Sequence, residues 1–161
     1  MPDWINSLPK ELVVIIVAAT PVFELRGSIP IGASLGLPLL KVYFLSLFGN
    51  LIPVFPLLFI YNKFFHRLEH IKFLGRFFRW WFRRVEKKSK IVERWGFWGL
   101  AAFVAIPLPV TGAWTGTVAA TLVEMKIKKS FLAITIGVAF AGLIVSLVVT
   151  GILNIDFFVR H

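Results

Sequence analysis

Two residues of opposite charge, Glu24 and Arg26, lie in the stretch TPVFELRGSIPIG (residues 20–32), which is otherwise short of charge. A carboxylate in such surroundings is a proton acceptor, its affinity raised by burial and lowered by a neighbouring cation. A guanidinium keeps its charge and can grip a phosphate or carboxylate through two parallel hydrogen bonds. Charged side chains at membrane depth are costly and mark substrate or proton pathways. Glu24 is therefore the candidate proton-coupling residue, and Arg26 with Gly27 and Ser28 the first candidate substrate-binding set. Residues two apart on a helix do not face each other, so both would enter one cavity only from an irregular hairpin tip. Pro30 is expected to stop helix propagation at that tip. The plain alternative is an interfacial ion pair that tethers a loop.

A second constellation, IPLPVTGAWTG (residues 106–116), carries no charge at all. Pro107 and Pro109 are expected to break a hairpin there. The hydroxyls of Thr111 and Thr115, the indole of Trp114 and the backbone at Gly112 are the second candidate substrate-binding set. Amides near Gly112 would receive an anion as a helix N-terminus does. Close helix packing through Gly112 and Gly116 is the structural alternative.

The elements that position these residues follow from composition and length. The chain has 161 residues, 58% hydrophobic and 16% aromatic, with a mean hydropathy of +0.82 and no cysteine. Soluble domains are about 45–50% apolar, so the balance is that of an integral membrane protein. The absence of cysteine removes disulfides and thiolate chemistry. The N-terminal MPDWINSLPKEL has neither a basic region leading into an apolar run nor a small-residue cleavage site, and is not expected to be a removable signal peptide. Residues 39–61 and 130–153 are long enough to span a bilayer, which takes ~20 residues. The apolar pieces at 11–22, 27–38, 95–109 and 111–122 are too short. Paired short limbs with Gly/Pro between them read as re-entrant hairpins, tolerated at depth only when buried in protein or lining a cavity.

The expected fold is all-α and integral to the membrane. It comprises two inverted repeats, each a re-entrant helical hairpin (9–38 and 96–123) followed by one transmembrane helix. Pro21 is taken to correspond with Pro107, and the pair Gly32/Gly36 with Gly112/Gly116. Each half crosses once, so the 63–95 linker and the 124–129 loop share a side. That side carries 14 of the 18 Lys and Arg residues, which places it in the cytoplasm and both termini outside. Inverted repeats with interrupted short helices point to a transporter site near the midplane. Four ordinary helices with the charges at a water interface is the competing reading.

The linker, with eleven basic and three acidic residues, reads as one amphipathic helix. Phe64, Leu68, Ile71, Leu74, Phe78, Trp81, Val85 and Val92 form its apolar stripe. Lys72, Arg76, Arg79, Arg83 and Lys87, continued by Lys90 and Arg94, form the opposite face and are expected to lie on an anionic membrane surface, with a dimer contact as the alternative. Nucleic acid is not an expected partner, because the aromatics need lipid or protein to cover them. HRLEH (66–70) matches an inverted zinc-peptidase pattern, but it lies in the basic helix with no third ligand; no metal and no cofactor are expected. No nucleophile–base pair converges, so an enzyme is not expected either. Asn50 reads either as a polar contact to the cavity or as a hydrogen bond between helices, of which the second is expected, and Glu124 as a solvated loop charge.

The two constellations also resemble the paired signatures of the small multi-drug export protein family, ELRG-small-IP and PLP-x-TGAWTG. Its organisation is similar to that of the DedA/VTT superfamily with two re-entrant loops. The resemblance covers 9–153. It implies a homodimeric transport protein of the bacterial or archaeal cytoplasmic membrane. Glu24 and Arg26 fall on the first motif, and Pro107, Pro109, Thr111, Gly112, Trp114 and Gly116 on the second. The superfamily implies movement of an anionic lipid head group such as undecaprenyl phosphate, and the family name implies export of amphipathic drugs. The leading expectation is a flippase working by alternating access where the two tips meet, and the second a multidrug exporter. A non-transporting membrane scaffold is the third. The second tip lacks an arginine that the wider superfamily carries.

Overall fold

A computed structural model of the chain describes residues 8–68, 75–106 and 111–159. Among the described residues all regular structure is helical: α1 Lys10–Ala19, α2 Glu24–Ser34, α3 Leu39–Leu51, α4 Val54–Leu68, α5 Gly75–Ala105, α6 Ala113–Leu122 and α7 Ile127–Val159. Two segments, Leu39–Tyr61 and Ile127–Gly151, are long and apolar enough to cross a membrane, and only 28% and 33% of their apolar windows are buried. A helix in a soluble core would be mostly covered. Here Phe44, Phe48, Phe55 and Phe59 on the first segment, and Leu132, Phe140 and Leu147 on the second, are exposed.

The first apolar segment is not one uninterrupted helix. Pro53 and Pro56 have no N–H, so Gly49 and Ile52 cannot receive their usual i+4 hydrogen bonds. The chain parts into α3 and α4 there. By contacts it divides after Ile52 and after Val138 into two compact units.

In the first unit α1, α2 and α3 pack on one another. Thr20 turns the chain out of α1 with extended backbone, and the turn at 21–23 leads into α2. The hairpin is tied across its open end. Lys10 Nζ donates to the Leu35 carbonyl at 2.7 Å, so a cation meets the negative C-terminal end of α2. Glu11 and Lys41 pair beside it at 2.6 Å. That hydrogen bond holds the exposed Glu11 carboxyl below the usual carboxylate range. The C-terminal part of α7 joins this unit, where the Tyr43 hydroxyl donates to the Ala139 carbonyl at 3.1 Å.

In the second unit α6 packs against α5 and α4. Helix α5 bends at Gly96, whose φ of 53° and ψ of −123° suit only glycine. The expected linker and second hairpin thus meet within one run of helix. The linker's first part continues α4, and its residues 69–74 lie outside the described residues.

Each unit repeats the same local contacts, offset by 88 residues from Gly36 to Glu124 and from Gly49 to Gly137, and by 86 from Ile15 to Ala101. Helix α2 ends where Gly36 N–H bonds Ala33 O at 3.0 Å and Leu37 N–H bonds Gly32 O at 3.2 Å. Helix α6 ends where Glu124 N–H bonds Thr121 O at 3.0 Å and Met125 N–H bonds Ala120 O at 2.9 Å. Both closures need a left-handed residue, with φ 78° at Gly36 and 52° at Glu124. A Cβ on Gly49 would lie 2.6 Å from the Ile15 carbonyl oxygen, and one on Gly137 2.6 Å from that of Ala101. The glycine pairs do not correspond in the way their spacing suggests. Gly32 and Gly36 sit at the end of α2, whereas Gly112 and Gly116 sit at the start of α6.

Gly49→Ala and Gly137→Ala are each expected to destabilise the fold by about 1–3 kcal/mol, the cost of overpacking against backbone that cannot yield. Thermal unfolding in detergent checks this. Equal loss at both sites is the expected result.

Candidate functional site

Glu24 is the first residue of α2, so the charges sit on a helix and not in an irregular tip. Its side chain is only 7% exposed, and its φ of 48° is in the left-handed region. Non-glycine residues held there cost about 1–3 kcal/mol and gather at functional sites. The buried face of α2 is Glu24, Leu25, Ser28, Ile29 and Gly32. Arg26 lies off that face and is half-buried. Gly27 packs under Phe23, where a Cβ would come within 2.8 Å of the phenylalanine Cβ.

Pro30 does not break the hairpin as its residue type suggests. It lies inside α2 with its ring exposed. Its fixed φ is helical, the outward ring meets no neighbouring helix, and the cost is the hydrogen bond it cannot give to the Arg26 carbonyl.

Helix α3 faces α2 in antiparallel register. A Cβ on Gly32 would fall 2.6 Å from Val42 Cγ1, and one turn along Ser28 Oγ donates to Ser46 Oγ at 2.7 Å. One further turn, four residues on each helix, brings Glu24 level with Asn50. Asn50 is 0% exposed, and neither its Oδ1 nor its Nδ2 has a hydrogen-bond partner among the described residues. The expected bond from Asn50 to a neighbouring helix is therefore not made. Ser46 and Asn50 are four apart in a span, and that spacing was the available signal for a shared polar face.

The neutral constellation closes on its own backbone. Thr115 Oγ1 accepts from Gly112 N–H at 2.8 Å, the N3 half of a capping box. Thr111 Oγ1 donates to the Ile106 carbonyl at 2.8 Å. Gly112 caps α6, and Trp114 lies in its first turn. Gly116 faces Ile134, as Ser28 faces Ser46. Pro107 and Pro109 lie outside the described residues, as does Lys72.

On α5, Val85, Ser89 and Val92 are buried, while Arg83, Lys90 and Arg94 are exposed. The three cations fall on one helical face and the buried residues opposite. Trp95 and Trp98 are exposed just beyond. Arg76, Arg79 and Lys87 fall on the same helix.

These features define a small helical membrane protein with a buried carboxylate on a short hairpin helix. The chain belongs to the family provisionally named the small multi-drug export proteins, which it matches over residues 24–144. The match begins at Glu24. Searches of curated proteins and of solved structures gave no match.

Removing either hydroxyl of the Ser28–Ser46 pair is expected to weaken the α2–α3 contact. A double-mutant cycle with Ser28→Ala and Ser46→Ala should give a coupling of about 0.6 kcal/mol, the average for such bonds in membranes.

Proposed function

We propose that this protein is a proton-coupled exporter of amphipathic cationic compounds, with Glu24 as the residue that exchanges a proton for the substrate. The observation that carries this reading is a buried carboxylate held in strained backbone within a polar layer of Ser28, Ser46 and Asn50. An ionised carboxylate without water costs several kcal/mol unless a cation accompanies it. Arg26 interacts electrostatically with Glu24; a proton or a substrate cation supplies the rest of the compensation, and the loss of one favours uptake of the other. The family name agrees in kind.

The membrane arrangement belongs to the same reading. Helices α1 and α2, of 10 and 11 residues, would each reach about 15 Å, half of a hydrocarbon core. The hairpin tied across its open end supports a re-entrant loop, and the repeated closures at Gly36 and Glu124 support an internal repeat. The charge balance supports a cytoplasmic linker, its Arg83–Lys90–Arg94 face resting on anionic lipid of the inner membrane. A second reading rests on Arg26. Half-buried and off the packed face of α2, it would hold the head group of an anionic lipid such as undecaprenyl phosphate while Glu24 titrates.

Flux in proteoliposomes separates the two. With a pH gradient imposed, wild type is expected to move a fluorescent lipophilic cation. Glu24→Gln abolishes that flux, whereas Arg26→Ala keeps most of it. Movement of a phosphate-headed lipid analogue, lost in Arg26→Ala, would favour the second reading. Undiminished cation flux in Glu24→Gln would overturn the first.

A further inference from the structure

The first unit buries more polar chemistry than its packing needs. The positions that correspond to Glu24, Ser28, Ser46 and Asn50 in the second unit are Gly112, Gly116, Ile134 and Val138. Val138 is buried to 1% exposure, as Asn50 is to 0%. An apolar side chain therefore fills the equivalent place, and an amide is not what this kind of helix contact demands. A buried side-chain amide with both ends unbonded carries the desolvation penalty of each group uncompensated. Such an amide is open to a partner that arrives in one state of the working cycle.

A carboxylic acid is the partner that satisfies both ends at once. Its O–H donates to an amide oxygen while its C=O accepts from the amide N–H. A carboxylate can accept from Nδ2, but it offers nothing to Oδ1. The α2–α3 register sets Glu24 at the level of Asn50, one turn beyond the Ser28–Ser46 bond. We propose that Asn50 is a positioning residue for the coupling proton, forming a two-point pair with protonated Glu24 and losing one of those bonds when the proton leaves. The proton departs from the Glu24 carboxyl, Nδ2–H stays on the carboxylate, and Oδ1 loses its donor.

The other charges near this layer are few. Arg26 shares the helix and interacts electrostatically with Glu24. Lys10 and Glu11 on α1 and Lys41 on α3 lie at the opposite, open end of the hairpin, engaged with Leu35 and with each other. Tyr43 of α3 is bonded to Ala139, and residues 139–151 of α7 contain no titratable side chain.

This inference rests on the proton-coupling reading of Glu24, and its test reads no transport. The carboxyl C=O stretch of the protein in lipid bilayers is followed by infrared spectroscopy against pH, and the Glu24 band is assigned by its loss in Glu24→Gln. Asn50→Val, which copies the second unit, is expected to shift the protonated band to higher frequency, because its C=O loses the Nδ2–H donor and its O–H loses the Oδ1 acceptor. Asn50→Ala should do the same and serves if the valine variant does not fold. A Glu24 band whose frequency is unchanged in a folded variant overturns the role of Asn50 alone. A flux that ignores Glu24 overturns the exporter and leaves this titration standing.

Discussion

The first unit depends on how closely its hairpin can lie against α3, and Gly49 sets that distance. The Ile15 carbonyl oxygen occupies the space any Cβ there would fill. Between helices in a lipid-like solvent there is little hydrophobic drive, so close van der Waals contact through small residues carries the association. Once α1 is seated at Gly49, α2 is brought in by Gly32 against Val42. The Ser28–Ser46 hydrogen bond then fixes the register. These three contacts set the register that brings Glu24 level with Asn50.

The same constraint operates in the second unit at Gly137, against Ala101 and Val104, yet the outcome there is chemically silent. Glycine, isoleucine and valine stand where the first unit has a carboxylate, a hydroxyl and an amide. Its threonines serve their own helix, Thr117 and Thr121 donating to the carbonyls of Ala113 and Thr117. One packing solution is thus used twice, and among the described residues the buried carboxylate and the buried amide fall in one copy. That economy fits a site that must tolerate a change in charge, because only one carboxylate has to be kept dry and supplied with a partner.

What could be read in the sequence tracks how local the cause is. The apolar segment 39–61 was legible from its length, and the kink at Gly96 lies where charge gives way to apolar sequence. Glu24 and Arg26 were legible as a costly pair, but their setting was not. Pro30 reads as a breaker, yet an exposed proline with a helical φ costs one hydrogen bond and the helix runs through it. The turn falls instead at 21–23. Matching glycines by spacing failed for a comparable reason. In the second unit Glu124 adopts the left-handed conformation that Gly36 provides in the first, so a glycine pattern cannot register it. The partnership of Ser28 with Ser46, and the level shared by Glu24 and Asn50, arise from interhelical register, which no spacing along one segment encodes.

The central claim is that a cation and a proton compete for Glu24. Its most direct test is proton release on binding, measured in weakly buffered detergent solution as a lipophilic cation is added to the purified protein. Wild type should release protons as the cation binds, and Glu24→Gln should release none. Saturable binding to wild type with no proton release, or equal release from Glu24→Gln, would contradict it.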